Sequence, residues 1–135
     1  MKKARTVVSC LAALLILGTS AAGCGSGEVR AGDPRRAVES MLREMKKGDA
    51  RASYALLSAE DRKRFTMEQW SEALTAERPP ADLTWRITES EVDGAKAIIT
   101  VKMSAEGKSQ TLPLVVLKEA GEWRVSYFAS NSLNQ

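Results

Sequence analysis

Apolar residues recur at helical spacing where the chain leaves its N-terminal region. The segment 34–47 carries an apolar stripe at positions three and four apart, formed by Ala37, Val38, Met41, Leu42 and Met45. Asp33 is a suitable N-cap, Pro34 suits the first helical position, and Gly48 suits the position just beyond the last turn. These signals predict an amphipathic helix over residues 34–47.

Two short helical segments are expected next. Asp49 can cap the first, and Ser58, with Asp61 three residues later, can begin a further turn over residues 59–64. This turn includes a basic run at 62–64, but acidic residues flank the run on both sides. We therefore interpret the run as a solvated helix face rather than a binding patch.

A third signal marks the start of the last N-terminal helix. Thr66 and Gln69 have the spacing of a capping box, and Phe65 and Trp70 occupy the two positions of a hydrophobic staple around the same start. The prolines that begin at Pro79 end the helix, because proline lacks the amide hydrogen that a helix needs. Both start signals predict the same boundary.

The apolar period changes from 3.6 to 2 after residue 82. Three segments alternate apolar and polar residues, with apolar positions at Leu83, Trp85 and Ile87, at Ala95, Ala97, Ile99, Val101 and Met103, and at Trp123, Val125 and Tyr127. The segment 111–117 is apolar on both faces, and Pro113 within it indicates an edge or a bulge. Asp93-Gly94 is a hairpin signal. The pattern predicts an antiparallel meander of four strands, followed by a frayed polar tail over 129–135.

Helices followed by strands predict an α+β fold, with N-terminal helices packed on one face of a four-stranded antiparallel sheet. The folded domain is expected to span residues 33–128. It is long enough for one hydrophobic core.

The first 23 residues have the three parts of an export signal. Lys2, Lys3 and Arg5 precede an apolar stretch over 7–17, and small residues follow. The apolar stretch is shorter than the roughly 20 residues that span a bilayer. We therefore expect an exported protein with no transmembrane helix after the signal.

The end of this signal resembles the bacterial lipobox, and Ala21, Ala22, Gly23 and Cys24 carry the resemblance. The resemblance implies cleavage between Gly23 and Cys24, lipid on the Cys24 sulfur, membrane attachment through that lipid, and a flexible tether over 24–32. Gly25 follows the cysteine where an Asp would resemble an inner-membrane retention signal, so the outer membrane is favoured in a cell with two membranes. The alternative is an ordinary secreted protein cut at an Ala-x-Ala-like site.

Charge and composition exclude several classes of function. The chain has 20 basic and 17 acidic residues, and the three basic residues of the signal account for the whole net charge of +3. A neutral mature chain argues against nucleic-acid binding. Histidine is absent, and the two cysteines are Cys10, inside the signal, and Cys24. We therefore expect no zinc site, no histidine-dependent triad and no cofactor.

Several segments together resemble the small lipoprotein branch of the nuclear-transport-factor-two-like superfamily. They are Asp33-Pro34, Gly48-Asp49, Tyr54-Ala55-Leu56-Leu57-Ser58, Thr66-Met67-Glu68 and Gly121-Glu122-Trp123-Arg124-Val125. The resemblance implies a cystatin-like cone, in which helices wrap a curved sheet, over about residues 33–128. Members of that superfamily include transport factors, isomerases, dehydratases and envelope domains, so the resemblance implies a fold more than a function.

Two groups of residues are candidate sites within such a cone. Tyr54, Trp70, Trp85 and Tyr127 could line a pocket at its open end, although periodic aromatic positions are also typical of a packed core. Glu89 and Glu91 would share a sheet face, where a solvated edge is the simpler interpretation. The aspartates all fall at predicted helix starts, loops or turns.

These observations favour a lipid-anchored, non-catalytic binding or accessory module at the cell envelope. Its partner would be an unidentified protein or a small apolar ligand. Two alternatives stay open: a small hydratase or isomerase that uses a pocket carboxylate, and a structural module that forms a homodimer.

Overall fold

The computed structural model describes residues 32–135. The predicted signal peptide, its Gly23-Cys24 cleavage and lipidation site, and the predicted tether up to residue 31 lie outside the described residues. Four helices come first: α1 (Pro34–Lys47), α2 (Ala50–Ala55), α3 (Ala59–Arg64) and α4 (Met67–Ala76). Four strands and a last helix follow: β1 (Thr84–Asp93), β2 (Lys96–Ala105), β3 (Lys108–Glu119), β4 (Glu122–Ser126) and α5 (Tyr127–Leu133).

Helix α1 has the bounds that its apolar stripe predicts. The Asp33 side chain accepts a hydrogen bond from the Arg35 backbone N–H at 2.9 Å, which satisfies one amide of the first turn. Gly48 ends the helix with φ +77°, a conformation that glycine adopts without strain. The stripe is buried against the sheet, with Val38 fully inaccessible.

The capping box and the staple at the start of α4 are confirmed. The Thr66 hydroxyl accepts from the Gln69 N–H at 3.1 Å, and the Gln69 side chain accepts from the Thr66 N–H at 2.9 Å. The rings of Phe65 and Trp70 lie 6.4 Å apart. Inside the domain, the Trp70 indole N–H donates to the Ser53 hydroxyl at 2.9 Å, which joins α4 to α2.

The predicted four-strand meander is confirmed, with strand order β1-β2-β3-β4 and every neighbour antiparallel. One register shift lies between Ile87 and Glu89 of β1. Such a bulge increases the local bend of a strand. Strand β4 also meets the helices, because Leu57 forms a parallel bridge with Val125.

Pro113 lies in a strand that is internal over only part of its length. Strand β2 pairs with β3 from Lys108 to Leu117, and Pro113 faces Thr100 in an unbroken register, so no bulge occurs there. Strand β4 pairs with β3 only over its C-terminal part, from Val115 to Glu119. Pro113 therefore stands where one side of β3 is an edge, and this is how the sheet accommodates a residue without an amide hydrogen.

The prediction of a frayed tail from Ala129 is wrong, because residues 127–133 form helix α5. Ser126 caps this helix, accepting from the Ala129 N–H at 3.3 Å. The helix packs beside β3, where the Ser130 hydroxyl accepts from the Val115 N–H at 2.9 Å. A side chain of α5 thus supplies a hydrogen-bond partner to β3 at the point where β4 ends.

The core lies between the helices and the inner face of the sheet, which confirms the predicted α+β class. Its most deeply buried members, all at 0% exposure, are Val38, Leu57, Ile99, Val101 and Val116. Across the part of the chain from residue 32 onward, no helix has both the length and the apolar character needed to cross a bilayer.

Candidate ligand-binding cavity

An apolar cavity of about 650 Å³ opens between α1, the inner face of the sheet and α5. Its floor consists of buried apolar side chains, among them Met41, Leu42, Leu57, Trp70 and Val125. These residues come from elements distant in sequence, which meet only because the helices fold across the sheet.

The mouth of the cavity is polar and exposed. It lies at the β2–β3 hairpin, beside the loop that carries Pro79 and Pro80 and the end of α5. The exposed lining residues are Lys108, Ser109, Gln110, Asn131 and Asn134. An apolar interior with a few polar groups at its entrance is typical of small-molecule sites.

Lys108 is the one lysine or arginine among the described residues that line this cavity. Strand register explains its position, because Lys108 pairs with Ala105 while Leu112 and Leu114 pair with the buried Val101 and Ile99. Side chains two, four and six residues apart share a sheet face. Lys108 is therefore the outermost member of an inward row, a position that the apolar alternation described above did not single out. Counting back in twos from Leu112 was the signal that could have identified it.

A smaller recess of about 370 Å³ adjoins the mouth and shares Pro79 with the main cavity. Lys46 and Arg78 line it. The Lys46 Nζ donates to the Leu83 carbonyl at 2.8 Å, and the Arg78 guanidinium lies over Gly48. Neither side chain forms an ion pair with a carboxylate of the described residues.

The structure brings two of the four predicted pocket residues to the cavity. Trp70 and Tyr127 both line it, and their rings meet edge to face at 5.6 Å. Tyr54 and Trp85 are not among its lining residues. The Tyr54 hydroxyl donates to the Phe65 carbonyl at 2.7 Å, while Trp85 packs against the core from β1.

Asp61 is a fully buried carboxyl group that the sequence pattern explained only as part of a helix start. It does lie in the first turn of α3, but its carboxyl group reaches the start of α5. Its Oδ2 accepts from the Tyr127 N–H at 2.6 Å, and its Oδ1 accepts from the Phe128 N–H at 3.2 Å. Both oxygens are thereby engaged, and Asp61 is not among the cavity-lining residues.

The other candidate carboxylates do not line the cavity either. Glu89 and Glu91 are exposed on β1 and face Thr100 and Ile98 of β2, so they share one face because the bulge precedes them both. Asp82 accepts from the Glu106 N–H at 2.8 Å and ties the loop before β1 to the β2–β3 turn. Over residues 32–135, no three acidic or cysteine side chains cluster as metal ligands would.

At the start of α1, Asp33 and Arg35 form an ion pair that shifts the pKa of both residues. The Arg35 guanidinium donates to both carboxylate oxygens of Asp33, and this hydrogen bonding lowers the pKa of Asp33. The same contact raises the pKa of Arg35. The pair fixes a helix start and makes no contribution to the cavity lining.

Known structures with the same fold include NTF2-like proteins. A protein from Campylobacter jejuni, named as a candidate NTF2-like transpeptidase, superposes with a TM-score of 0.55 at 15% identity, over 70% of this chain and 97% of that chain. An NTF2-like protein of unknown function from Shewanella baltica OS155 gives 0.53 at 16% identity, over 69% and 86% of the two chains. Another, from Silicibacter pomeroyi DSS-3, gives 0.51 at 19% identity, over 68% and 87%.

These similarities confirm the predicted cone-shaped α+β fold, with helices on a curved antiparallel sheet. At such low identity they carry the fold and not an activity. No protein-family model matches the chain, and no curated protein matches it significantly.

Proposed function

We propose that this protein is a lipid-anchored module of the bacterial cell envelope that binds a small apolar ligand without transforming it. The observation that carries the proposal is the cavity of about 650 Å³ with its apolar floor and polar mouth. Its volume falls within the roughly 300–1,000 Å³ typical of ligand pockets.

A binding role is favoured over a hydratase or isomerase because of what lines the cavity. Acid–base chemistry of that type needs a carboxyl group within hydrogen-bond reach of the substrate. The lining residues described include no Asp or Glu. The fully buried carboxyl group of Asp61 instead accepts hydrogen bonds from two backbone N–H groups of α5 and holds that helix in place.

The lipid anchor rests on the N-terminal sequence. A lipobox-like Ala21-Ala22-Gly23-Cys24 after an apolar stretch supports a lipidated Cys24 and export. More than one acyl chain at that cysteine would hold the domain stably at a membrane surface. Ligand capture and membrane attachment would then bring an apolar molecule next to the bilayer.

Blocking the cavity tests the binding role. Leu112 lines the cavity but does not belong to the packed core, so Leu112→Trp fills space at a limited cost in stability. We expect this variant to lose at least tenfold in affinity for N-phenyl-1-naphthylamine, an uncharged fluorescent probe. Leu117→Trp is the matched control, because Leu117 lies on the same strand and does not line the cavity. Equal probe affinity in both variants and the wild type would refute binding in this cavity.

Membrane attachment has a separate test. Cys24→Ser removes the thiol that would take the lipid, so the variant should move from the membrane fraction to the soluble fraction of the producing cell. A wild-type protein that is already soluble would show that the anchor is absent, without affecting the binding proposal.

A further inference from the structure

Lys108 gives the cavity a chemical preference that its apolar floor alone does not have. The lining residues described carry one formal charge, and that charge is positive and stands at the mouth. We propose that the ligand is a single-chain amphiphile with an anionic head group, such as a fatty acid, whose chain fills the cavity and whose head pairs with Lys108. This inference rests on the proposed function.

The layout of the cavity fits such a molecule from end to end. A buried apolar floor and an exposed polar mouth are the two environments that an amphiphile needs. Asn131 stands at the same mouth, and its side-chain amide can donate hydrogen bonds to head-group oxygens. The Ser109 hydroxyl, which is hydrogen-bonded to the Ser104 hydroxyl, lies beside it. A lysine supplies a flexible cation with three donors, which suits a carboxylate or a phosphate group alike.

The charges around the mouth support an anion as the head group. Lys46 and Arg78 line the adjoining recess and add two positive charges beside Pro79. Two acidic residues also stand near the β2–β3 turn, Asp82 and Glu106, but neither lines the cavity or the recess. One oxygen of the Asp82 carboxylate accepts from the Glu106 N–H. The described residues that line the two openings thus include three basic side chains and no carboxylate, while Asp82 and Glu106 keep their negative charges just outside the lining.

Lys108 itself is free to meet a ligand. No carboxylate of residues 32–135 lies within ion-pair distance of its amine. No contact of the described residues gives the Lys108 amine a structural role. The side chain is exposed at the point where the apolar row of β3 meets solvent.

Displacement of N-phenyl-1-naphthylamine from the folded domain tests the inference, with dodecanoate, dodecyl phosphate and dodecanol each used below their micellar concentrations. Wild-type protein should bind the two anions about fivefold more tightly than the alcohol, the ratio expected of one exposed ion pair. Octanoate, decanoate and dodecanoate should gain about fourfold in affinity per methylene until the cavity is full.

Substitutions assign the preference to one residue. Lys108→Gln should lower dodecanoate affinity about fivefold and leave dodecanol affinity unchanged, and Lys108→Glu should lower dodecanoate affinity further. Lys102→Gln is the control, since Lys102 is exposed on β2 and lines neither opening. Higher salt concentration should reduce the difference in affinity between dodecanoate and dodecanol, because salt screens interactions between exposed charges.

The outcomes separate this inference from the proposed function. Equal binding of dodecanol and dodecanoate by the wild type overturns the anionic head group and leaves an apolar site in place. An effect of Arg78→Gln in place of Lys108→Gln overturns the assignment to Lys108. Failure of dodecanol and both anions to displace the probe overturns the proposed ligand class altogether.

Discussion

Replacing Asp61 by Ala should destabilise the domain far more than a typical change in a short helix. The side chain has 0% exposure, and its two oxygens accept the first two backbone N–H groups of α5, across 66 and 67 residues of chain. Alanine removes both acceptors at once. It also leaves a cavity where the carboxyl group was.

The magnitude follows from the groups that lose their partners. A buried N–H left without an acceptor costs about 1–3 kcal/mol. For two such groups we expect Asp61→Ala to lose about 2–4 kcal/mol of unfolding free energy. This is less than twice the largest single cost, because α5 can open partly and let water reach the two N–H groups. Asp61→Asn keeps one acceptor but turns an NH₂ group towards the other N–H, so we expect about 1–2 kcal/mol. Domain stabilities are about 5–15 kcal/mol, so either loss is easily measured.

Urea unfolding monitored by tryptophan fluorescence gives the free energy of unfolding for each variant. Glu60→Gln is the matched control, because Glu60 is the exposed neighbour whose ion pair with Arg64 is worth about 0.3–0.5 kcal/mol. Hydrogen exchange adds a local measurement. The amides of Tyr127 and Phe128 should exchange faster in Asp61→Asn than in wild type, while those of α1 change little.

An Asp61→Ala variant no less stable than Glu60→Gln would refute the role of Asp61 in holding α5. A loss of stability without loss of amide protection at Tyr127 and Phe128 would also refute it, since the carboxyl group would then act elsewhere. A link to function follows from the same geometry. Tyr127, Ser130 and Asn131 line the cavity, so loosening α5 should also weaken the binding of N-phenyl-1-naphthylamine.

Two further predictions concern helix ends and buried partners. Asp33→Ala should lose about 1 kcal/mol of stability at neutral pH, as expected for an N-cap. Folding lowers the pKa of Asp33 from its ordinary 3.8. The stability that ionised Asp33 contributes is therefore present above that pH and is lost as the pH falls through the folded-state pKa. Urea unfolding at pH 7 and pH 2.5 should show that the difference in unfolding free energy between Asp33→Ala and wild type shrinks in acid. Ser53→Ala leaves the buried Trp70 indole N–H without its acceptor and should lose about 1–3 kcal/mol by thermal unfolding; a change no larger than that of the exposed Ser132→Ala would contradict it.

Local patterns sufficed for the elements whose causes are local. The stripe and caps of α1 lie within 16 consecutive residues, 33–48, and the structure has the predicted bounds. The capping box and staple of α4 are also short-range signals. The alternation of the strands and the Asp93-Gly94 turn likewise specified the meander, because each hairpin joins strands that are adjacent in sequence.

Helix α5 escaped prediction because its causes lie far away in the sequence. Its seven residues, Tyr127–Leu133, are too few for a stable isolated helix. Asp61 and the edge of β3 supply the missing stabilisation, and neither is visible in the local pattern. Lys108 was missed for a different reason: its inward position follows from the alternation of β3 extended back from Leu112, but the sequence alone does not show that the strand begins as early as residue 108.

The half-open side of β3 has a consequence for how copies of this protein behave towards each other. Residues 111–117 are uncharged and mostly apolar, and such segments template aggregation when their backbone edge is exposed. Helix α5 covers part of that edge, because Ser130 accepts from the Val115 N–H and Asn134 donates to the Pro113 carbonyl. A chain that ends at residue 126 would therefore expose more of the β3 backbone edge to neighbouring molecules and aggregate edge to edge. Within residues 111–117, only Pro113 would then oppose such strand pairing.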